Sequence, residues 1–471
     1  MTAPRLAVRE VRLHERDVRL RMPFRFGVVT LTAAPQAFAR VRVALEDGRE
    51  GWGAAAELLA PKWFDKDPAL TNEQNFAQLR ASLGVATRLY REAGAATAFG
   101  LFAACHPAQQ AACRERGLNA LVAGYGPALL DRAVLDSLCR LHAMSFYDAV
   151  RANLPGIDAR LTPDLAGFGL DTFLTARRPA DAIDARHTVG LVDPITAADQ
   201  AAGHRVGDGL PETLEEVVAT YGHRYFKLKV GGDVASDVER LTAIARVLDR
   251  MDAPYFTTLD GNEQYDTIDG ALALWETMEK TPALGRLVAS VLFVEQPVTR
   301  RHALDRDVTA LGARRPVVID ESDDTLDAFP RARALGYQGV SSKTCKGLYK
   351  SVLNAARCAR WNADAGRGAH FMSAEDLTTQ AGLAVQQDLA LVALLGLTHV
   401  ERNGHHYVDG MAALPAHEQR AFVEAHPDLY AGRGGVVRVR IVGGRLAIGS
   451  LACPGFAAGA EPDWAAMRPL E

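Results

Sequence analysis

YFKLKVGG (225–232), YFTTLDGNE (255–263), SVLFVEQP (290–297) and PVVIDES (316–322) are four successive apolar runs, each carrying ionisable residues at its end. HTVGLVD (187–193) precedes them, and GVSSKTCKG (339–347), AHFMSAED (369–376) and THVERNGHH (398–406) follow. Taking one polar residue from each run (His187, Lys229, Asp260, Glu295, Asp320, Lys343, His370, Glu401), the intervals lie between 23 and 42 residues. That spacing holds one strand, one helix and their loops. Strands alternating with helices predict a parallel sheet, and eight units are the number that closes a (β/α)8 barrel. A polar residue at the end of each run then stands on the C-terminal rim, where such barrels do their chemistry.

The flanks read differently. Residues 6–45 alternate charged and apolar side chains, which predicts two or three antiparallel strands. From about Asn72 to Asn153 the spacing is helical; Leu130, Val134 and Leu138, for example, fall on one face. The tail GGVVRVRIVGGRLAIGSLACPGF (434–456) returns to strand-like alternation and is expected to rejoin the first region. The chain is therefore read as α/β, with an α+β region over 1–182, the barrel over 183–432 and a returning tail over 433–471.

Composition excludes several classes. Among 471 residues, 53 Lys plus Arg face 57 Asp plus Glu, and 48% are hydrophobic, so neither a nucleic-acid-binding polycation nor a disordered tail is encoded. The longest uncharged small-residue run, Ala93 to Cys105, is far shorter than the roughly 20 residues a membrane helix needs. The amino terminus lacks the apolar block of a secretory signal, so a cytoplasmic protein is expected. Cys105, Cys113, Cys139, Cys345, Cys358 and Cys453 are widely spread without a CxxC, which argues for reduced packing residues rather than a disulfide framework or a zinc site.

The chemistry lies in the central runs. Asp260, Glu295 and Asp320 end successive strands, so a parallel sheet brings three carboxylates side by side, where they need protons or a cation. A hard divalent ion, Mg2+ with Mn2+ as second candidate, suits all-oxygen ligation. Asp320 is preferred over Glu321 because alternation lets only one of them face inward. In FKLKVGG the period of two puts Lys227 and Lys229 on one face, where paired ammonium groups are expected to lower each other's proton affinity and give a usable base. Lys343 ends the sixth run, across the mouth from the second, and Lys346 is expected to face solvent. A proton beside a carboxylate is removable when the developing dianion is neutralised, and enolase-type sites, which pair a Lys or His base with Mg2+, are the standing example of that solution.

In this order, these residues resemble the enolase superfamily, specifically its muconate-cycloisomerase-like branch (mandelate racemase/muconate lactonizing enzyme). The matching motifs are Lys227-x-Lys229, Asp260-x-Asn262, Glu295-Gln296-Pro297, Asp320-Glu321-Ser322 and Lys343. The resemblance implies a barrel with an α+β capping domain formed by the N-terminal region and the C-terminal tail. It implies Mg2+ on Asp260, Glu295 and Asp320, an acid/base pair of Lys229 and Lys343 with Lys227 assisting, and a small carboxylate substrate. Asn262, Glu321, His370 and Glu401 are the candidate substrate contacts, and the segments Arg21 to Thr32 and Gly51 to Phe64 are expected to be substrate-contacting loops. Cycloisomerisation, racemisation or epimerisation, and syn-dehydration are the reactions implied, in an enzyme expected to form homo-oligomers without nucleic-acid or membrane partners.

Three features depart from the family pattern. Extra Ala- and Gly-rich sequence lies between about 61 and 126, and Cys345-Lys346-Gly347 replaces the usual Gly-Gly after the sixth-strand lysine. ERNGHHY at the eighth run lacks the paired acids of dipeptide epimerases, and Lys343 stands where a His–Asp dyad would need an acid; His405 and His406 are read mainly as packing residues. A Schiff-base lysine enzyme without metal and a non-catalytic carboxylate-binding barrel are the alternatives.

Overall fold

The computed structural model describes residues 3–26, 29–200, 203 and 205–470. The chain opens with β1 (Leu6–Phe26), β2 (Val29–Leu45) and β3 (Glu50–Leu58), all antiparallel. The pairing of Val11 with Val41 and of Leu6 with Leu45 fixes the β1–β2 register, and β2 sends Ala37, Ala39, Val41 and Val43 into the core at no more than 1% exposure. A one-residue slip would turn that set to solvent.

Three helices follow, α1 (Asn72–Glu92), α2 (Ala98–Arg114) and α3 (Ala120–Leu141). Each starts where a short polar side chain accepts a backbone N–H: Thr71 from Gln74, Thr97 from Gly100 and Asn119 from Val122. The Ala- and Gly-rich stretch 61–126 thus builds α1, α2 and the first turns of α3. Leu130, Val134 and Leu138 are buried on α3, as their spacing predicts. Gly53 of β3 lets α3 approach closely, because a Cβ there would stand 2.2 Å from the carbonyl oxygen of Ala133 and the amide of Ser137.

The second half carries eight parallel strands: β4 (Ala182–Val189), β5 (Tyr225–Lys229), β6 (Phe256–Asp260), β7 (Val291–Glu295), β8 (Val317–Ile319), β9 (Gly339–Ser342), β10 (Phe371–Ala374) and β11 (His399–Arg402). Hydrogen-bonded neighbours run β10-β9-β8-β7-β6-β5-β4-β11. The sheet curls so that its ends meet. The amide of Asp376, just after β10, donates to Glu401 of β11 at 2.9 Å, and Arg186 of β4 donates to Glu375. Among the described residues β10 and β11 share no backbone ladder. The first strand starts earlier than its apolar run suggests, at Ala182, and ends before Gly190.

The tail divides its pairing. Tyr430–Arg433 (β12) pairs with Val436–Val439 (β13), and Arg445–Ala447 (β14) adds antiparallel to β4 of the curled sheet rather than to the first region. Phe456 stacks on Phe146 at 3.8 Å, and Arg468–Pro469 (β15) pairs with β1, so the return to the N-terminal sheet is made only by the last residues. No helix among the described residues is long and apolar enough to cross a membrane.

The two halves are joined by buried charge. Arg132 of α3, fully buried, donates to Glu57 of β3 at 3.0 Å, and Glu57 also accepts from Thr344 just after Lys343. Burial pushes the Glu57 carboxyl above its ordinary range, and Arg132 opposes that shift. Removing the guanidinium leaves a buried acid without its partner. Arg132→Met is therefore expected to cost about 3–5 kcal/mol in chemical denaturation, with part of the loss recovered by the double change Glu57→Leu/Arg132→Met. A loss below about 1 kcal/mol for the single variant would show that Arg132 does not stabilise the buried Glu57 that reaches Thr344.

Candidate active site

Strand register builds the site. Lys229 is the neighbour of Asp260 across β5–β6, Asp260 is the neighbour of Glu295 across β6–β7, and Glu295 is paired with Val318 of β8, two residues before Asp320. Lys343 follows β9 directly. Five consecutive strand ends therefore carry lysine, acid, acid, acid, lysine. Each outer amine holds the nearer outer acid: Lys229 Nζ donates to Asp260 at 2.5 Å, and Lys343 Nζ donates to Asp320.

Lys227 lies one alternation deeper. Its Nζ is 2.8 to 2.9 Å from Asp260, Glu295, Glu375 and Glu401. Burial works against its charge, but those four carboxylates together hold its proton affinity well above the ordinary lysine range. Lys343 is likewise raised: burial opposes its charge, and Asp320, Glu295 and Glu321 together more than restore it. The expectation of mutually depressed lysines is thus corrected for Lys227, because carboxylates stand closer to its amine than any ammonium does.

The acids are short of donors. Glu295 Oε2 lies 2.8 Å from Lys227 Nζ yet receives no hydrogen bond from it, and its carboxyl is pushed upward by burial and then by Asp260 and Glu375. Both carboxylate oxygens of Glu321 and the Oδ1 of Asn262 are buried without hydrogen-bond partners. A buried oxygen set with unfilled acceptors fits a hard divalent cation, which oxygen donors bind in preference to softer metals. Asp260, Glu295 and Asp320 are the residues that would hold it.

Other residues fall differently from their sequence reading. Asp320 and Glu321 are both buried, since β8 ends at Ile319 and alternation does not govern the turn beyond it; Glu321 lies 3.5 Å from Lys66 Nζ. Lys346 does not face solvent: it is buried and donates to Ser341 Oγ at 2.8 Å, on a tight turn that Gly347 closes at φ 106°. Glu401 accepts from Lys227, the Asp376 amide, Thr188 Oγ1 and Asn403, so its oxygens are already engaged. His370 precedes β10 and stands at the opposite end of the strand from the lysines, 3.3 Å from Arg333, which corrects its reading as a substrate contact. His405 lies beside His187, away from the carboxylates.

The sequence reading missed Glu375, Lys66 and the pair Glu263–Arg300, bonded at 2.8 Å. Lys66 reaches the Asn262 carbonyl at 2.9 Å and Glu263 at 2.5 Å, so the segment after β3 closes one side of the site. Phe24, Leu31, Ala60 and Trp63 cover a cavity of about 20 Å³ shared with Lys229, Asp260, Asp320 and Lys343. That is room for a water molecule or a small ion. Lys343 Nζ sits 4.5 Å from the centre of the Trp63 ring, a cation–π contact. Of the two expected loops, Gly51 to Phe64 supplies β3, Ala60 and Trp63, while within Arg21 to Thr32, Gly27 and Val28 lie outside the described residues.

Comparison with known proteins finds a matching family model over part of the chain and similar folds over nearly all of it. Residues 209–427 match the enolase C-terminal domain-like family. No curated protein matches the chain by sequence. Among solved structures, the dipeptide epimerase of Enterococcus faecalis V583, complexed with Mg and a dipeptide, is 14% identical with a TM-score of 0.61, over 96% of this chain and 99% of that one. An enolase from Bradyrhizobium complexed with magnesium and mandelic acid is 16% identical with a TM-score of 0.59, over 99% and 98%. A mandelate racemase/muconate lactonizing protein from Herpetosiphon aurantiacus is 17% identical with a TM-score of 0.59, over 95% and 98%. At these identities the likeness is one of fold. The sequence match to the enolase C-terminal domain-like family spans residues 209–427, the stretch that holds the strands β5 to β11.

Glu295→Gln keeps the shape and removes the middle charge of the three acids. It is expected to weaken Mg2+ binding at least about tenfold in calorimetry, about 1.4 kcal/mol, with an unchanged circular dichroism spectrum. Unaltered affinity would remove Glu295 from the ligand set.

Proposed function

We propose that this chain is a Mg2+-dependent enzyme that removes the proton α to a substrate carboxylate and passes through an enolate, with the curled sheet acting as the family's (β/α)8 barrel. Residues 1–182, joined by the last residues of the 433–471 tail, serve as the cap, and 183–432, with β14 of the tail added to β4, as the catalytic unit. The observation that carries the reading is the run of five strand ends, in which three acids are flanked by one lysine on each side. Bound to Asp260, Glu295 and Asp320, Mg2+ (or Mn2+) supplies the charge stabilisation that an enolate needs.

The protein's own groups do the rest. Lys229 and Lys343 approach the substrate from opposite flanks, so one amine takes the proton and the other returns it or balances charge. Lys343, held protonated beside Asp320 and over Trp63, is the group prepared to give a proton. Lys227 fixes the surrounding carboxylates at their spacing. Asn262 Oδ1 and the Glu321 oxygens remain to meet polar groups of the substrate. Trp63, Phe24 and Leu31 exclude water, which strengthens each electrostatic interaction beneath them. Cycloisomerisation, epimerisation or racemisation, and syn-dehydration all share this first step. A homo-oligomer working in the cytoplasm completes the reading; light scattering and cell fractionation test those two parts.

Incubating the protein with Mg2+ and a panel of carboxylic acids in D2O should place deuterium at the α-carbon of at least one acid, read by mass spectrometry. EDTA should abolish uptake. Lys229→Ala and Lys343→Ala should each cost about 10²–10⁴-fold, and in a substrate exchanged on both faces each should silence a different face. Full exchange in EDTA, or an adduct trapped by borohydride, would replace the proposal with Schiff-base chemistry.

A further inference from the structure

On the other face of β4 lies a second group of ligating side chains. Thr188 and Arg186 point inward, to Glu401 and Glu375, so strand alternation turns His187 outward. There it meets His223, just before β5, and His405, on the helical turn Gly404–Tyr407. One ligating atom of each of the three lies within 4.8 Å of the others. His187 and His223 are 2% and 0% exposed.

The hydrogen bonding aims the lone pairs. His223 Nδ1 is 2.9 Å from the Ala185 carbonyl oxygen, to which only a protonated nitrogen can donate. Its Nε2 is therefore a bare acceptor, and it is buried with no partner. A backbone carbonyl on the far nitrogen is the arrangement that fixes the tautomer of metal-ligating histidines. His187 Nδ1 and His405 Nε2 share a hydrogen bond at 3.2 Å, whose proton moves to the other nitrogen of its ring when both lone pairs turn to one ion. Two nitrogens bound at 2.0–2.1 Å to one tetrahedral zinc are separated by about 3.3 Å, so the pair already has the spacing of shared ligands.

We propose that His187, His223 and His405 form a second metal centre, for a divalent transition ion of the zinc class. Imidazole nitrogens select such ions, whereas the carboxylate oxygens across the strand select Mg2+, so the two faces of β4 sort metals by ligand chemistry. The nearest guanidinium groups do not oppose a cation with free charge. Arg21 is paired with Asp208 at 2.5 Å and Arg402 with Asp388 and Asp376. His405 and Tyr221 line a cavity of about 190 Å³ that also receives Arg433, Arg438 and Arg440. Three protein ligands beside an open cavity leave the fourth position to water or a small anion.

The test uses full-length protein without an affinity tag, stripped with chelator and saturated with Mg2+, then given Zn2+. One equivalent is expected to bind, and X-ray absorption at the zinc edge should read imidazole nitrogens at about 2.0–2.1 Å. His223→Gln and His405→Asn should each lower Zn2+ affinity at least tenfold, while Glu295→Gln leaves it within twofold. A shell of oxygens alone, no retained zinc, or a folded His405→Asn variant that binds like the parent would overturn the site. Because the spectrum is read on the unsubstituted protein, a variant that fails to fold does not decide the outcome.

Discussion

A single buried ammonium holds the second half of the molecule in its shape. Lys227 Nζ, 1% exposed at the side chain, touches carboxylates from β6, β7 and β11 and from the residue after β10. Water is too far away to screen these charges, so separating any one acid from the amine would leave an uncompensated buried ion, at a cost of several kcal/mol. The sheet curls because its pleat and twist allow it, but the side chains at its centre decide where the curl stops. Between β10 and β11, where no backbone ladder is made, Lys227 and the Asp376 amide both fasten to Glu401 and span the gap. Two of the acids that a catalytic cation would need, Asp260 and Glu295, are thus also acids that hold the scaffold together.

That double use explains which residues are free for chemistry. Glu401, with four donors, is spent on structure, whereas Glu295 keeps one oxygen and Glu321 both oxygens without a hydrogen-bond donor. The cap in turn is not a passive cover. Trp63 rests on Lys343, Lys66 reaches Glu321 and Glu263, and Glu57 grips the turn that follows Lys343. Any movement of β3 or the segment behind it is felt at both the lysine and the acids. This gives the first region a direct physical hold on proton affinities in the second.

Much of the central sheet could be read from sequence because its signal is local. An apolar run of five residues that ends in Asp, Glu or Lys states both the strand and its rim, and Asp260, Glu295 and Lys229 were legible for that reason. The same rule failed at AHFMSAED, where His370 opens the run and Glu375 closes it; the polar residue at the far end was the one on the rim. Lys346 and Lys66 could not be read at all, since the burial of the one and the contacts of the other come from partners on β9 and near β6 that no spacing reveals. The three histidines are separated by 36 and 182 residues, so only the adjacency of β11, β4 and β5 brings them together.

The strand that meets both clusters, β4, is also the one with the least remarkable sequence. Its inward residues, Arg186 and Thr188, do not enter the reactive set; they tie Glu375 and Glu401 so that those acids can tie Lys227. Its outward residue His187 belongs to a different environment, packed against His405, His406 and His223 at ring separations of 4.9 to 5.4 Å. Alternation by two residues therefore places residues that meet the carboxylate cluster and a residue of the imidazole cluster one position apart along the chain and on opposite sides of one sheet. The backbone between them is rigid and hydrogen-bonded on both edges, to β5 and to β11. A shift of β4 along its axis would move Thr188 from Glu401 and His187 from His405 together, so neither cluster can rearrange through this strand without disturbing the other.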